Sequence, residues 1–209
     1  MHPKTLRLVL SLSLLAPLSL TACTSTGGPT EVPVAAQQDL DELRDLLIEG
    51  KREIQDTSTA ARTLVHKSGD VPTASISKLL SDINQLESVR VKTWAAHARA
   101  QANAKEYFAD WDRKLQTMTG DVREQGQQRH AASVASFDSL KQKGQQVADV
   151  YNPYVNQLLE CKRYLDSDNT PQGLQVVRPQ LEDQIAKESQ LQSMIDGLIA
   201  HIEVMRGGK

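Results

Sequence analysis

One spacing recurs through almost the whole chain: apolar and small residues follow one another in steps of three and four from residue 40 to residue 205. This heptad pattern is typical of helices that pack against other helices. No alternating strand pattern competes with it. The pattern therefore predicts an all-α protein with four helical runs. We call the positions on the packed side of each predicted helix the seam positions. They include Leu40, Leu43, Leu47, Ile54, Ala61 and Leu64; Ile76, Leu79, Ile83, Leu86, Thr93, Ala100 and Ala104; Leu140, Val147, Tyr151, Leu158 and Cys161; and Leu174, Val177, Leu181, Leu191, Ile195 and Ile202.

Glycines, prolines and short polar segments separate these runs and predict the ends of the helices. We expect breaks near Ser68-Gly69-Asp70, at residues 120–126 and at residues 166–173. The second helix would contain about 45 residues and reach roughly 65–70 Å at 1.5 Å per residue. Short connections between long helices make them antiparallel neighbours. We therefore expect an elongated antiparallel helical bundle or coiled coil of three to four long helices over residues 38–206.

The lengths of the runs predict how the bundle is divided. The first run is too short to reach the level at which Tyr107 would lie opposite Phe137. The sequence thus predicts a four-helix half near Gly69 and a three-helix half near Gly120. Pro153 and Pro179 each remove a backbone donor, and we expect a kink or a short break at both positions. Whether Pro153 makes a static bend or a hinge stays open.

The N-terminus has the pattern of an export signal. Lys4 and Arg7 precede a mostly apolar run over residues 8–20, which is too short for a transmembrane anchor. The run ends in Leu20-Thr21-Ala22-Cys23, which resembles the lipobox of bacterial lipoproteins. The resemblance implies cleavage before Cys23, diacylation of that cysteine and removal of residues 1–22 as a signal peptide. The alternative is a simple secretory signal in which Cys23 is incidental.

Residues 23–37 then form the lipidated cysteine and a flexible tether, because the segment is rich in glycine, proline and small polar residues. The lipid bilayer becomes the first predicted partner, bound through acylated Cys23. Thr24, rather than an aspartate, follows the cysteine, so we expect attachment to the outer membrane, facing the periplasm of a Gram-negative cell. The inner membrane stays an open alternative, as does the oligomeric state.

Composition and motifs exclude several classes of function. A formal charge of −2 offers no basic surface for nucleic acid. Phosphate-binding, dinucleotide-binding and nucleophile-elbow motifs are missing, so we predict neither an enzyme nor a cofactor. Residues 166–170 begin like a calcium loop, but Pro171 and Val177 stand where that loop needs glycine and glutamate. We interpret the segment as a turn with helix-capping residues.

Two groups of residues are candidate sites. The first is an aromatic cluster that either fills the core or forms a patch that docks a partner: Tyr107, Phe108, Trp111 and Phe137. The second occupies seam positions where apolar residues are expected: Arg90, His97, Gln184 and Glu188. Polar seam residues commonly fix helix register, and a small-molecule or metal site is the alternative. Cys161 is expected to be a buried apolar residue, with an intermolecular disulfide as the alternative.

The lipobox, the helical body, the Tyr107-Phe108-x-x-Trp111 cluster and the interruption at Pro153 resemble a group of bacterial lipoproteins classed only as a domain of unknown function. That resemblance implies no catalytic residues. The predicted function is a lipid-anchored, periplasm-facing helical scaffold or protein-interaction module of the cell envelope. Its partner would be an envelope protein or a second copy of the chain. The alternative is a small-molecule or metal binder that uses Arg90, His97 and Glu188.

Overall fold

The computed structural model describes residues 34–66 and 72–207, with side chains from residue 37 onward. Leu20, Thr21, Ala22 and Cys23 lie outside the described residues, as does the tether before residue 34. The described part consists of four helices and no strands, and 94% of it is helical. The prediction of an all-α bundle is confirmed.

The helices are α1 (Val34–Val65), α2 (Thr73–Gln116), α3 (Gly120–Ser167) and α4 (Pro171–Met205). The first helix thus begins four residues before the predicted start of the bundle at residue 38. With 44 residues, α2 is about 66 Å long. α3 begins at Gly120, where the left-handed φ of 62° suits a glycine, and not after residue 126 as predicted.

Each helix packs against its neighbours in the chain, and α1 also packs against α4. This closes an up-down-up-down bundle around one core. The seam positions point inward: Leu40, Ile83, Leu158 and Leu174 are each at most 1% exposed. Hydrophobic burial along the four seams is therefore the main term that holds the helices together.

Pro153 and Pro179 lie inside continuous helices, so of the two predicted alternatives, a kink or a short break, the short break is wrong at both positions. Both prolines are exposed. The carbonyl groups that lose a helical partner belong to Asp149 and Gln175, which are also exposed, so water can satisfy them. A proline on the outer face of a long, well-packed helix is therefore tolerated.

The bundle is not four-helical over its whole length. Asp39 near the start of α1 accepts a hydrogen bond from Asn103 at 2.7 Å, and Asp41 forms an ion pair with Arg206 just after α4. α4 thus ends near the level of Asp41, whereas α1 begins at Val34, about 10 Å further toward the Gly120 turn. α2 and α3 extend beyond α4 for about 20 Å, of which about the last 12 Å also lie beyond the start of α1, and we call residues 105–132 the projecting hairpin.

The predicted three-helix half is therefore wrong: α1 reaches about the level of Tyr107, α4 ends before that level, and only α2 and α3 continue to the Gly120 turn. α3 has 48 residues and α4 only 35. Because α3 ends and α4 begins at the turn that joins them, the shorter α4 ends well before the level of the Gly120 turn.

The segment that joins α3 to α4 is a capped turn, which confirms its interpretation from the sequence. The Thr170 hydroxyl accepts a hydrogen bond from the Gly173 amide at 3.2 Å, and Pro171 occupies the first helical turn. Asp168 accepts a hydrogen bond from the Thr170 amide at 3.2 Å. These contacts satisfy backbone donors at the start of α4.

Candidate interaction site

The aromatic cluster lies where the projecting hairpin leaves the four-helix body. The Phe108 and Phe137 rings meet edge to face at a centroid distance of 5.3 Å. The Tyr107 ring lies 5.6 Å from that of Trp111. All four side chains are half-buried, so they hold α2 against α3 while part of their surface stays in contact with solvent. Phe108, and not Tyr107 as predicted, contacts Phe137.

His130 completes the cluster and was missed by the sequence analysis. Its ring is perpendicular to that of Trp111, with a centroid distance of 5.1 Å. Its Nε2 atom lies 3.3 Å from the Phe108 carbonyl oxygen and 3.5 Å from Asp112 Oδ1. An isolated histidine in a polar stretch has no distinctive spacing, so only the pairing of α2 with α3 could have identified it.

One face of the hairpin continues the face that is buried in the body. Tyr107 and Trp111 follow the buried Ala100 and Ala104 in steps of three and four. Val122 lies 18 residues, or five helical turns, before the buried Leu140 and so shares its face of α3. In the body this face packs against α1 and α4. On the hairpin part of this face is accessible to solvent, although Leu115, four residues after Trp111, is only 4% exposed; we call it the inner face.

Residues on this face of α3 are buried in the body and exposed on the hairpin. Leu140 in the body is 4% exposed, whereas Val122 on the same helix face is 67% exposed. Val122 is the most exposed of the large hydrophobic residues in the described part of the chain. The inner face thus combines half-buried aromatic rings with one exposed valine, which makes it a candidate docking surface.

The four polar seam residues contact two different pairs of helices. Arg90 lies between α2 and α3: its guanidinium group donates to both Glu87 oxygens, at 2.6 and 2.7 Å, and to Asn152 Oδ1 at 3.2 Å. The Trp94 indole also donates to Asn152, at 3.1 Å. Arg90 is therefore engaged in holding α2 to α3, as a register-fixing residue would be.

His97 lies about two turns beyond Arg90 along α2, against Gly144 of α3. Its ring meets the Trp94 ring at a centroid distance of 6.1 Å, and Gln101 Nε2 lies 3.1 Å from His97 Nε2. Burial lowers the pKa of His97 below its ordinary value of 6.5, and the positive charge of Lys141 lowers it further. The neutral imidazole is thus the form that the bundle favours.

Gln184 and Glu188 lie on α4, and their contacts differ from those of Arg90 and His97. Gln184 is 2% exposed, and its Oε1 atom is buried without a hydrogen-bond partner. Glu188 forms an ion pair with Arg62 of α1. The hydrogen bonds and ion pairs of the described residues do not join Gln184 or Glu188 to Arg90 or His97, so the four do not form one polar layer.

Within the described part of the chain, no three histidine, cysteine, aspartate or glutamate side chains are grouped as a metal site would require. Cys161 is 2% exposed, and burial raises the pKa of its thiol to about 11. It packs as a small apolar residue, as the sequence suggested.

The comparisons with known proteins identify no relative. No protein-family model matches the chain, and neither a curated protein nor a solved structure is detectably similar to it. The resemblance to helical lipoproteins thus stays a prediction. In residues 34–66 and 72–207, no helix combines the length and the apolar character that a bilayer-spanning helix needs.

Proposed function

We propose that this protein is a lipid-anchored interaction module of the bacterial cell envelope, and that the inner face of the projecting hairpin is its docking surface. The observation that carries the proposal is the hairpin itself. Four helices bury their shared face in the body, but α2 and α3 continue beyond it with Tyr107 and Trp111 half-buried and Val122 exposed. Burying apolar surface of this kind against a partner lowers the free energy of the complex.

The anchor would place this surface near a membrane. Val34 lies eleven residues after Cys23, a span of at most about 40 Å when fully extended. α1 begins at the end of the bundle from which the hairpin projects. If Cys23 carries acyl chains, the docking surface and the lipid are on the same side of the body, and the outer membrane of a Gram-negative cell is the membrane we propose.

The role we propose is binding and spacing, without catalysis. Its support is the contact pattern of the polar residues inside the bundle. Arg90 is occupied by Glu87 and Asn152, and Glu188 is occupied by Arg62. These side chains hold helices together, whereas the uncovered surface is apolar.

The two tryptophans provide a matched test. Trp111 lies on the inner face and Trp94 lies in the body, and both are half-buried. Trp111→Ala and Trp94→Ala should both lower the melting temperature. Only Trp111→Ala should reduce the recovery of crosslinked partners from intact cells.

The same experiment should include membrane fractionation of the wild type beside Cys23→Ala. We expect Cys23→Ala to leave the membrane fraction and to lose the crosslinked partner. The proposed function is wrong if Trp111→Ala recovers the same crosslinked proteins as the wild type and Trp94→Ala. The proposed anchor is wrong if Cys23→Ala still fractionates with membranes.

A further inference from the structure

A groove runs between α2 and α3 beside the inner face, and Tyr107 and Trp111 do not line it. Its volume of about 540 Å³ lies in the usual range of small-molecule sites. Each helix contributes side chains from successive turns on one of its sides, so the groove follows the helix axes. The residues that decide its chemistry are Lys105, Phe108 and Asp112 of α2 and His130, Phe137 and Lys141 of α3.

The middle of the groove is apolar. The half-buried rings of Phe108 and Phe137 meet across it at 5.3 Å, and the His130 ring lies edge to face with Phe108 at 5.6 Å. Along α2, this apolar part lies between Lys105 and Asp112, which are seven residues or about 10 Å apart. With C–C bonds of about 1.5 Å, an extended alkyl chain of about eight to ten carbons covers that length.

The two ends of the groove differ in charge. Lys105 and Lys141 line the end nearer the body, and the ion pairs of the described residues include neither of them. Asp138 lines the same end, so two positive charges face one negative charge there. At the other end, Asp112 Oδ1 lies 3.5 Å from His130 Nε2. A ligand with one anionic end and one apolar end therefore has a defined orientation in the groove.

We propose that this groove binds a free carboxylate with a single short acyl chain. The chain lies on Phe108 and Phe137, where burial of apolar surface supplies most of the binding free energy. The carboxylate lies between the ammonium groups of Lys105 and Lys141, which form charge-assisted hydrogen bonds with it. This inference goes beyond the proposed docking function, because it concerns a different surface and a small ligand and does not involve Trp111.

Titration calorimetry of the purified protein with decanoate tests the charge of the ligand. Decyltrimethylammonium is the control, because it has the same alkyl chain and the opposite charge. We expect decanoate to bind at one site and the cationic compound to bind at least about tenfold more weakly. The double variant Lys105→Gln with Lys141→Gln should weaken decanoate binding by about fivefold or more. Lys143→Gln should bind like the wild type, because Lys143 is exposed on α3 but does not line the groove.

A pair of alanines on α2 tests the place of the acyl chain. Ala109 is exposed and lines the groove next to Phe108, whereas Ala102 is exposed on the same helix and does not line it. Ala109→Glu introduces a carboxylate beside the apolar part and should abolish decanoate binding. Ala102→Glu should retain it. Because both positions are exposed and helical, the two variants should have similar melting temperatures.

Three outcomes would overturn the inference. The first is no detectable binding at about 1 mM decanoate, the concentration at which a complex with a Kd of about 1 mM is half-saturated. The second is equal affinity for decanoate and decyltrimethylammonium, which would show that the lysines do not select the charge. The third is equal affinity in Ala109→Glu and Ala102→Glu, which would place the bound chain outside the groove.

Discussion

The ring of His97 lies so close to Gly144 that a Cβ atom at position 144 would come 2.8 Å from His97 Nε2. Real Cβ atoms essentially never approach another atom so closely. The glycine is therefore part of the fit between α2 and α3, two to three helical turns below the point where the projecting hairpin begins. This contact leads to two predictions, one about volume and one about charge.

Gly144→Ala should destabilise the bundle. Displacing the half-buried imidazole should cost about 1–3 kcal/mol, partly offset by about 1 kcal/mol from the better helix propensity of alanine. Gly197 provides the control, because it is an exposed helical glycine with no atom within 4 Å of the place that an alanine methyl group would take. Gly197→Ala should gain up to about 1 kcal/mol. Urea unfolding of both variants measures the difference, and equal gains would show that His97 moves aside without cost.

His97 should also make the protein less stable in mild acid. Its pKa in the folded state is lowered, so around pH 6 the unfolded chain binds more protons at this residue than the folded chain. The free energy of unfolding should therefore fall as the pH drops through about 6.5 toward the folded pKa. His97→Gln lacks this term. Unfolding at about pH 7.5 and 5.5 should show a larger loss for the wild type, and an equal loss in both proteins would contradict the prediction.

Removal of the hydroxyl group should affect the free energy of unfolding differently at two buried tyrosines. The Tyr154 hydroxyl lies 3.2 Å from the Ser58 hydroxyl, whereas the Tyr151 hydroxyl is buried without a partner. Tyr154→Phe should cost about 0.5–1.5 kcal/mol, the typical net value of a hydrogen bond. Tyr151→Phe should be neutral or stabilising, because it removes an unsatisfied buried group. Chemical denaturation checks both, and a large loss for Tyr151→Phe would indicate a water partner for its hydroxyl.

Thr170 should contribute a helix cap that only a hydroxyl or similar acceptor can replace. Thr170→Ala removes the acceptor for the Gly173 amide and should cost about 1 kcal/mol. Thr170→Ser retains the hydroxyl and should remain close to wild type. Thermal unfolding of the two variants provides the comparison, and an equal loss in both would argue for the methyl group instead of the cap.

Much of the fold follows from the heptad pattern because a helix buries its apolar residues only if they return to the same side every three or four residues. Ile83 and Leu158 are at most 1% exposed for this reason. The capped turn was also predictable, since Thr170 and Pro171 have local preferences that act whatever surrounds them. These features depend on residues close together in the chain.

The projecting hairpin was not predictable in the same way. Its existence depends on how far α4 reaches along α3, and so on the register between helices, which the spacing within one helix leaves undetermined. His130 illustrates the same point, because its place in the aromatic cluster depends on Phe108 and Trp111 lying across from it. Contacts between distant parts of the chain decide both.

The ion pair between Asp41 and Arg206 also governs how the protein can be labelled. It holds the last described residues beside the start of α1, at the base of the projecting hairpin. A purification tag or fluorescent protein fused after Lys209 would therefore lie near Tyr107 and Trp111 and would obstruct the partner that we propose for the inner face. An epitope inserted between Val65 and Thr73 would sit at the opposite end of the rod and leave that surface accessible.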